Sequence, residues 1–295
     1  MNRSELTDAF KRRRPTLTDG SIKSYVSMIY NLNKKLFEKD EVHLADLKKV
    51  DDIVDYLKDK PKTSIKTILS ALFVLTGIDS YRTVMMQTSQ EYTKEKEKNE
   101  MNQKQIDGQI TKDELMAKYK ELETTAKRLF KATSWSDADL QNIQNYIILS
   151  MISGIHMAPR RLLDFTEMKI RDASDDVDNW IDFKKKQIHY NKYKGSGSKG
   201  RQTEPLPSAL ATILKKWIKI NPTEYLLFNS SRAKLTPVTL CERIKKITGT
   251  TNNAVRHAFI SEKYQPLLEM KESIKKDMNS MGSSPNVLND YLKKL

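Results

Sequence analysis

The sequence predicts a mainly α-helical protein carrying a small antiparallel β-sheet. Apolar residues recur at three- and four-residue steps through most of the chain, the period of a helix with one buried face. Strand-like alternation is confined to a short stretch after Asn179, broken by a glycine- and serine-rich turn. The length of 295 residues is enough for two ordinary domains, each with its own core.

The elements follow in order. Residues 1–14 end in Lys11-Arg12-Arg13-Arg14 and read as a basic N-terminal arm. Thr18 or Asp19 then caps a helix bearing Ile22, Tyr25, Ile29, Leu32 and Leu36. A second helix is expected over Asp51–Lys58, stopped by Pro61. A third starts near Thr63 or Ser64, with Ile65, Ile68, Leu69, Leu72 and Leu75 before Gly77. Residues 15–85 therefore read as a small helical domain, with Lys23 and Lys66 among the lysines on its other faces. Gln87–Gly108 has little to bury, so residues 86–132 read as a charged helical linker. Within it, Thr111-x-x-Glu114 has capping-box spacing and precedes Leu115, Tyr119, Leu122 and Leu129. A domain boundary is expected near residue 132.

Residues 133–295 read as a second, mixed domain. Ser136-x-x-Asp139 starts a helix whose Leu140, Ile143, Ile147, Ile148 and Met151 should be buried. Trp180–Phe183, Gln187–Tyr190 and Gln202–Leu206 are candidate strands, with Gly195-Ser196-Gly197-Ser198 as a turn. Helices are expected over Ser208–Ile220, Thr236–Ile247, Asn253–Tyr264 and Glu269–Met278, and a last one from Pro285.

Composition narrows the function. The formal charge is +14 and 31% of residues are charged, which favours a polyanionic partner because each neutralised phosphate releases counterions. The single Cys241 excludes a disulfide scaffold and any multi-cysteine metal site. The polar N-terminus gives no sign of a secretory leader, and no apolar run approaches the roughly 20 residues of a membrane span. The expectation is an intracellular protein.

Four places carry candidate chemistry. Arg161 follows Gly154 and precedes Asp164 by three residues, so a helix there would set the carboxylate beside the guanidinium and aim its fork at a phosphate. Arg160 competes for that role. From Lys184 to Thr203 there are seven Lys or Arg residues and no acid; Lys194 sits where the turn begins, Lys199 across it and Arg201 on the return. An ammonium at this turn suits protonation of a departing hydroxyl. Arg256 and His257 lie among Val255, Phe259 and Ile260, where a charge needs a partner. Tyr291 lies with Val287, Leu288, Leu292 and Leu295 at helical spacing. Singly, these features also fit a helix salt bridge, a solvated basic turn, a core histidine and a packing tyrosine.

Taken in order, Arg, Lys, Arg and Tyr along a basic mixed domain behind a small helical one resemble the tyrosine recombinase (phage integrase) superfamily. The resemblance covers nearly the whole chain. Its segments are Ser153-Gly154-Ile155-His156-Met157-Ala158-Pro159-Arg160-Arg161-Leu162-Leu163-Asp164, Val255-Arg256-His257-Ala258-Phe259-Ile260-Ser261, the strand-turn-strand ending Glu204-Pro205-Leu206-Pro207, and Met281-Gly282-Ser283-Ser284 before Tyr291. The wording around Pro159-Arg160-Arg161 and Tyr193-Lys194 is similar to integrases of DNA viruses and mobile elements. The resemblance implies a two-domain architecture, a core-binding domain followed by a catalytic one. It implies attack by Tyr291 on a DNA phosphate to give a 3′-phosphotyrosyl intermediate. Arg161 and Arg256 would hold the non-bridging oxygens, Lys194 would protonate the leaving 5′-oxygen, and double-stranded DNA would be bound by a homo-tetramer on two sites; because the covalent link conserves the bond energy, the resemblance implies no metal or cofactor. Arg160, Lys199, Arg201, Lys23 and Lys66 would contact DNA.

The sequence departs from the family at two slots. Asn253 stands where His or Lys is usual, and Ser283 where His or Trp is usual. Asn253 can donate to a phosphate oxygen but cannot act as acid or base near neutral pH. Two further readings therefore stand beside a recombinase. One is a DNA-binding protein of the same fold with weak or absent catalysis; the other is a type IB topoisomerase.

Overall fold

The computed structural model describes residues 1–97 and 103–284, so the helix expected from Pro285, with Tyr291, lies outside the described residues. The chain divides into two compact units, Met1–Glu100 and Met101–Leu295. This differs from the expected boundary near residue 132.

The first unit is helical: α1 (Arg3–Arg13), α2 (Asp19–Leu36), a single 3₁₀ turn (Asp46–Lys48), α3 (Val50–Leu57), α4 (Lys62–Thr76) and α5 (Asp79–Glu97). Residues 3–13 are a helix and not an arm. Asn2 and Glu5 form a capping box, and Leu6 and Phe10 are fully buried with Ile29, Leu69 and Leu72. Lys11 to Arg14 remain exposed at its end, where cations complement the helix dipole. Thr18 caps α2, and Gly77 ends α4 in the left-handed region, with φ 74°. The segment expected to begin the linker instead completes this unit. Tyr81 is buried and donates to the Leu47 carbonyl at 2.7 Å, and Lys62 on α4 pairs with Glu91 and Glu95 on α5.

The second unit contains α6 (Gln103–Asp107), α7 (Lys112–Leu129), α8 (Asp137–Ile152), α9 (Leu162–Thr166), β1 (Met168–Lys169), β2 (Asn179–Asp182), β3 (Gln187–Tyr190), α10 (Ser196–Lys199), β4 (Gln202–Pro205), α11 (Ser208–Ile220), α12 (Pro237–Thr248) and α13 (Asn252–Ser280). Both expected capping boxes are present, Thr111 with Glu114 and Ser136 with Asp139. α7 belongs to this unit because Leu115, Tyr119, Ala126 and Leu129 enter its core. α8 is apolar on nearly every face, being enclosed from several sides. The sheet runs β1-β2-β3-β4. β2, β3 and β4 are antiparallel as expected, but β1 pairs parallel with β2, so the sheet is mixed. Two residues of β1 give no readable period, which hides such a strand from sequence reading.

Separate helices were expected over Asn253–Tyr264 and Glu269–Met278; instead the single α13 covers both and runs through Pro266. Proline removes one donor from the ladder, and residues 261–267 are exposed, so water can satisfy the carbonyl left over.

Candidate functional site

The end of α8 and the start of α13 build a cluster of arginines. After Ile152 the chain turns at Gly154, whose φ is +85°. A Cβ there would lie 2.4 Å from the Phe259 ring, so only glycine lets this turn press against α13. The following loop then meets the first turn of α13. Asn252 Nδ2 donates to the Arg160 carbonyl at 3.0 Å, and Arg256 Nε donates to the Pro159 carbonyl at 3.3 Å. Two arginine motifs separated by about a hundred residues of sequence are thereby joined through backbone.

Arg160, not Arg161, pairs with Asp164. Its Nε donates to Asp164 Oδ2 at 2.7 Å and its Nη2 to Gln202 Oε1 at 2.8 Å. Its guanidinium carbon stands 3.8 Å from the centre of the Tyr190 ring, within cation–π range. Arg161 is the extended N-cap of α9, so it does not share a helical face with Asp164. It is exposed, and no hydrogen bond or ion pair engages its side chain among the described residues.

The cluster's electrostatics follow from burial. Asp164 is 3% exposed, and burial pushes its carboxyl above the usual carboxylate range against the pull of Arg160, Arg161 and Arg256. Burial lowers the Arg256 pKa, and the Arg161 charge lowers it further, with Asp164 opposing. Asp164 thus bonds one guanidinium, that of Arg160, and feels the charges of Arg161 and Arg256. Among the described residues, Asp164 Oδ1 and Asn252 Oδ1 are buried without a hydrogen-bond partner.

The other predicted residues are spread more widely. Asn253 and His257 are exposed on the first turns of α13. Lys194 and Lys199 are exposed at the hairpin turn, and Arg201 donates to the Asp175 carbonyl at 2.8 Å. Ser283 lies beyond the far end of α13; the helix rise from Arg256 to Ser280 alone is about 36 Å, so the structure does not bring Ser283 to the arginines. Lys23 is exposed in the first unit, and Lys66 there stacks on Tyr92, 5.5 Å from the ring centre.

Sequence reading missed Asn252, Gln202, Tyr190 and Lys192. Asn252 sits beside the residue that motif spacing selected. Lys192 Nζ contacts Asp178 Oδ1 at 2.9 Å and Glu167 Oε2 at 3.9 Å, a pairing between distant segments that leaves no local signature. Among the described residues, no group of three or more His, Cys, Asp or Glu is arranged to hold a metal, and no helix is long and apolar enough to cross a membrane.

No family model and no curated protein matches the chain. Among solved structures it is similar to XerA recombinase, at 16% identity over 88% of this chain and 83% of that one, with a TM-score of 0.34. It is also similar to lambda integrase residues 75–356 bound to DNA, at 15% identity over 89% and 88% of the two chains, with a TM-score of 0.48.

Proposed function

We propose that this chain is a tyrosine recombinase that cleaves and rejoins DNA strands through Tyr291. The observation that carries the reading is the arginine cluster: Arg160 bonded to buried Asp164, Arg256 Nε on the neighbouring Pro159 carbonyl, and no hydrogen bond or ion pair on the Arg161 side chain among the described residues. Such a cluster suits a phosphodiester, whose non-bridging oxygens match the guanidinium fork, and preformed cations there stabilise charge developing on phosphorus. In this reading the Tyr291 hydroxyl gives its proton to water and its oxygen bonds to phosphorus as the 5′-oxygen leaves, and Lys194 supplies the leaving oxygen's proton. The reverse attack by a 5′-hydroxyl reseals the strand. Double-stranded DNA is the partner, with assembly of four copies on two sites.

Incubation with a nicked duplex bearing the cognate site tests it. The expected result is a covalent protein–DNA adduct, lost in Tyr291→Phe and strongly reduced in Arg161→Ala. No adduct on the correct site refutes catalysis.

The separation of Ser283 from Arg256 along α13, together with Asn253, favours a second reading in which the fold binds DNA without cutting it. That reading predicts unchanged biological function in Tyr291→Phe. In the recombinase reading, Tyr291 comes to the arginines either from the same chain or from a second copy. Mixing Arg161→Ala and Tyr291→Phe chains distinguishes these, because adduct returns in the mixture only if the tyrosine crosses between copies. Plasmid relaxation without pairing of two sites would point to a type IB topoisomerase.

A further inference from the structure

We propose that Arg160 is a positioning residue: by occupying Asp164 it keeps the forks of Arg161 and Arg256 unclaimed by protein and free for a phosphate. The inference rests on the phosphate-handling reading above. It begins from the unequal lives of three neighbouring arginines. Arg160 is 17% exposed and is engaged on every side: Asp164 at Nε, Gln202 at Nη2, Glu204 3.8 Å from Nη1, and the Tyr190 ring against its face. Two of its three nitrogens hydrogen-bond to protein and its face lies on the ring, so little of it is open to DNA. Arg161 has no protein partner among the described residues, and Arg256 uses only Nε, on a carbonyl.

Asp164 explains why this division matters. Its carboxylate is buried, bonded to Arg160 at 2.7 Å and drawn by the charges of Arg161 and Arg256, with Oδ1 lacking a hydrogen-bond partner among the described residues. A buried carboxylate is strongly driven to find a cation. With Arg160 removed, the nearest substitutes are Arg161 and Arg256, and each one captured is a guanidinium withdrawn from the phosphate. Arg160 is suited to the task because its planar fork can bond Asp164 and Gln202 while its face lies on Tyr190. A lysine could not do all three. Its carbonyl also receives Asn252, so the residue that satisfies Asp164 also anchors the first turn of α13.

The test is the salt dependence of binding to a duplex of about 30 base pairs, using the full chain, with adduct rate as a second readout where the cognate site is known. Loss of one phosphate contact lowers the slope of log K against log salt by about 0.9. Arg161→Ala should show that loss. Arg160→Met should show it too, although Arg160 touches no DNA. Arg160→Met combined with Asp164→Asn should restore the wild-type slope, because the competing carboxylate is gone. This pair has the wild type's net charge, so a change in overall field cannot produce the result, and melting curves confirm that each variant is folded. In the adduct assay, Arg160→Met should slow formation by about 100-fold, and the double variant should recover at least a tenth of the wild-type rate.

An unchanged slope in Arg161→Ala overturns the phosphate reading and this inference with it. A reduced slope in Arg161→Ala, with Arg160→Met unchanged or the double variant no better than Arg160→Met, overturns this inference alone. Arg160 would then be only a structural tie.

Discussion

Replacing Gly154 with alanine should damage the second unit in a way that can be divided into two parts. The first is conformational: at φ +85° a residue with a Cβ costs about 1–2 kcal/mol. The second is steric. The added carbon would fall 2.4 Å from Phe259 Cδ2 and 3.1 Å from Cε2, well inside contact distance, and forcing such overlap costs about 1–3 kcal/mol. The sum is about 2–5 kcal/mol. Urea denaturation followed by tryptophan fluorescence measures it cleanly, because Trp135, Trp180 and Trp217 all lie in the second unit. Adding Phe259→Ala should relieve the steric part only. The double variant should therefore be more stable than the sum of the singles by about 1–3 kcal/mol. A Gly154→Ala protein within about 0.5 kcal/mol of wild type, the scatter of an uninvolved surface site, would refute the close approach, and so would strict additivity. Because this turn presses the Arg160–Arg161 loop against the helix bearing Arg256, the same variants report on how the phosphate cluster is assembled.

Tyr81→Phe should destabilise the first unit by about 1–3 kcal/mol, by leaving the buried Leu47 carbonyl without its donor. That unit contains no tryptophan, so the shift should appear by circular dichroism while the fluorescence transition stays put; coincident shifts would contradict independent units. Acidification should weaken the second unit. Burial lowers the pKa of His156 and of His189 below the ordinary 6.5, so below pH 6.5 the unfolded chain takes up protons that the native rings resist, and stability falls as pH drops towards the native values. The urea midpoint should fall more between pH 7.5 and 5.5 in wild type than in a His156→Gln, His189→Gln double variant. Equal falls would show that these rings do not drive the loss.

The helices were legible because each one carries its own evidence. Thr18, Thr111 and Ser136 cap where their hydroxyls can reach orphan N–H groups, and the apolar stripes behind them have the period of a buried face. The first helix was misread because Lys11 to Arg14 dominate its composition. Leu6, Ala9 and Phe10 had the correct spacing, and those three are its buried residues. The linker was misread for the opposite reason: α5 is polar, and Tyr81 and the pairs of Lys62 with Glu91 and Glu95 hold it by tertiary contact.

Sequence alone determined the mainly helical class, the three antiparallel strands and the polyanion-favouring charge, since these depend on periodicity, turn chemistry and composition. It also selected the two arginine segments by type and order. Tertiary structure decided how those arginines divide their work. Spacing assigned Asp164 to Arg161, but Arg161 sits before the first turn of α9, with extended backbone. The carboxylate turns instead to Arg160, which the Tyr190 ring and Gln202 hold in place from the sheet. An ion pair depends on where side chains converge, and here that point is set by strands and a helix far apart in sequence.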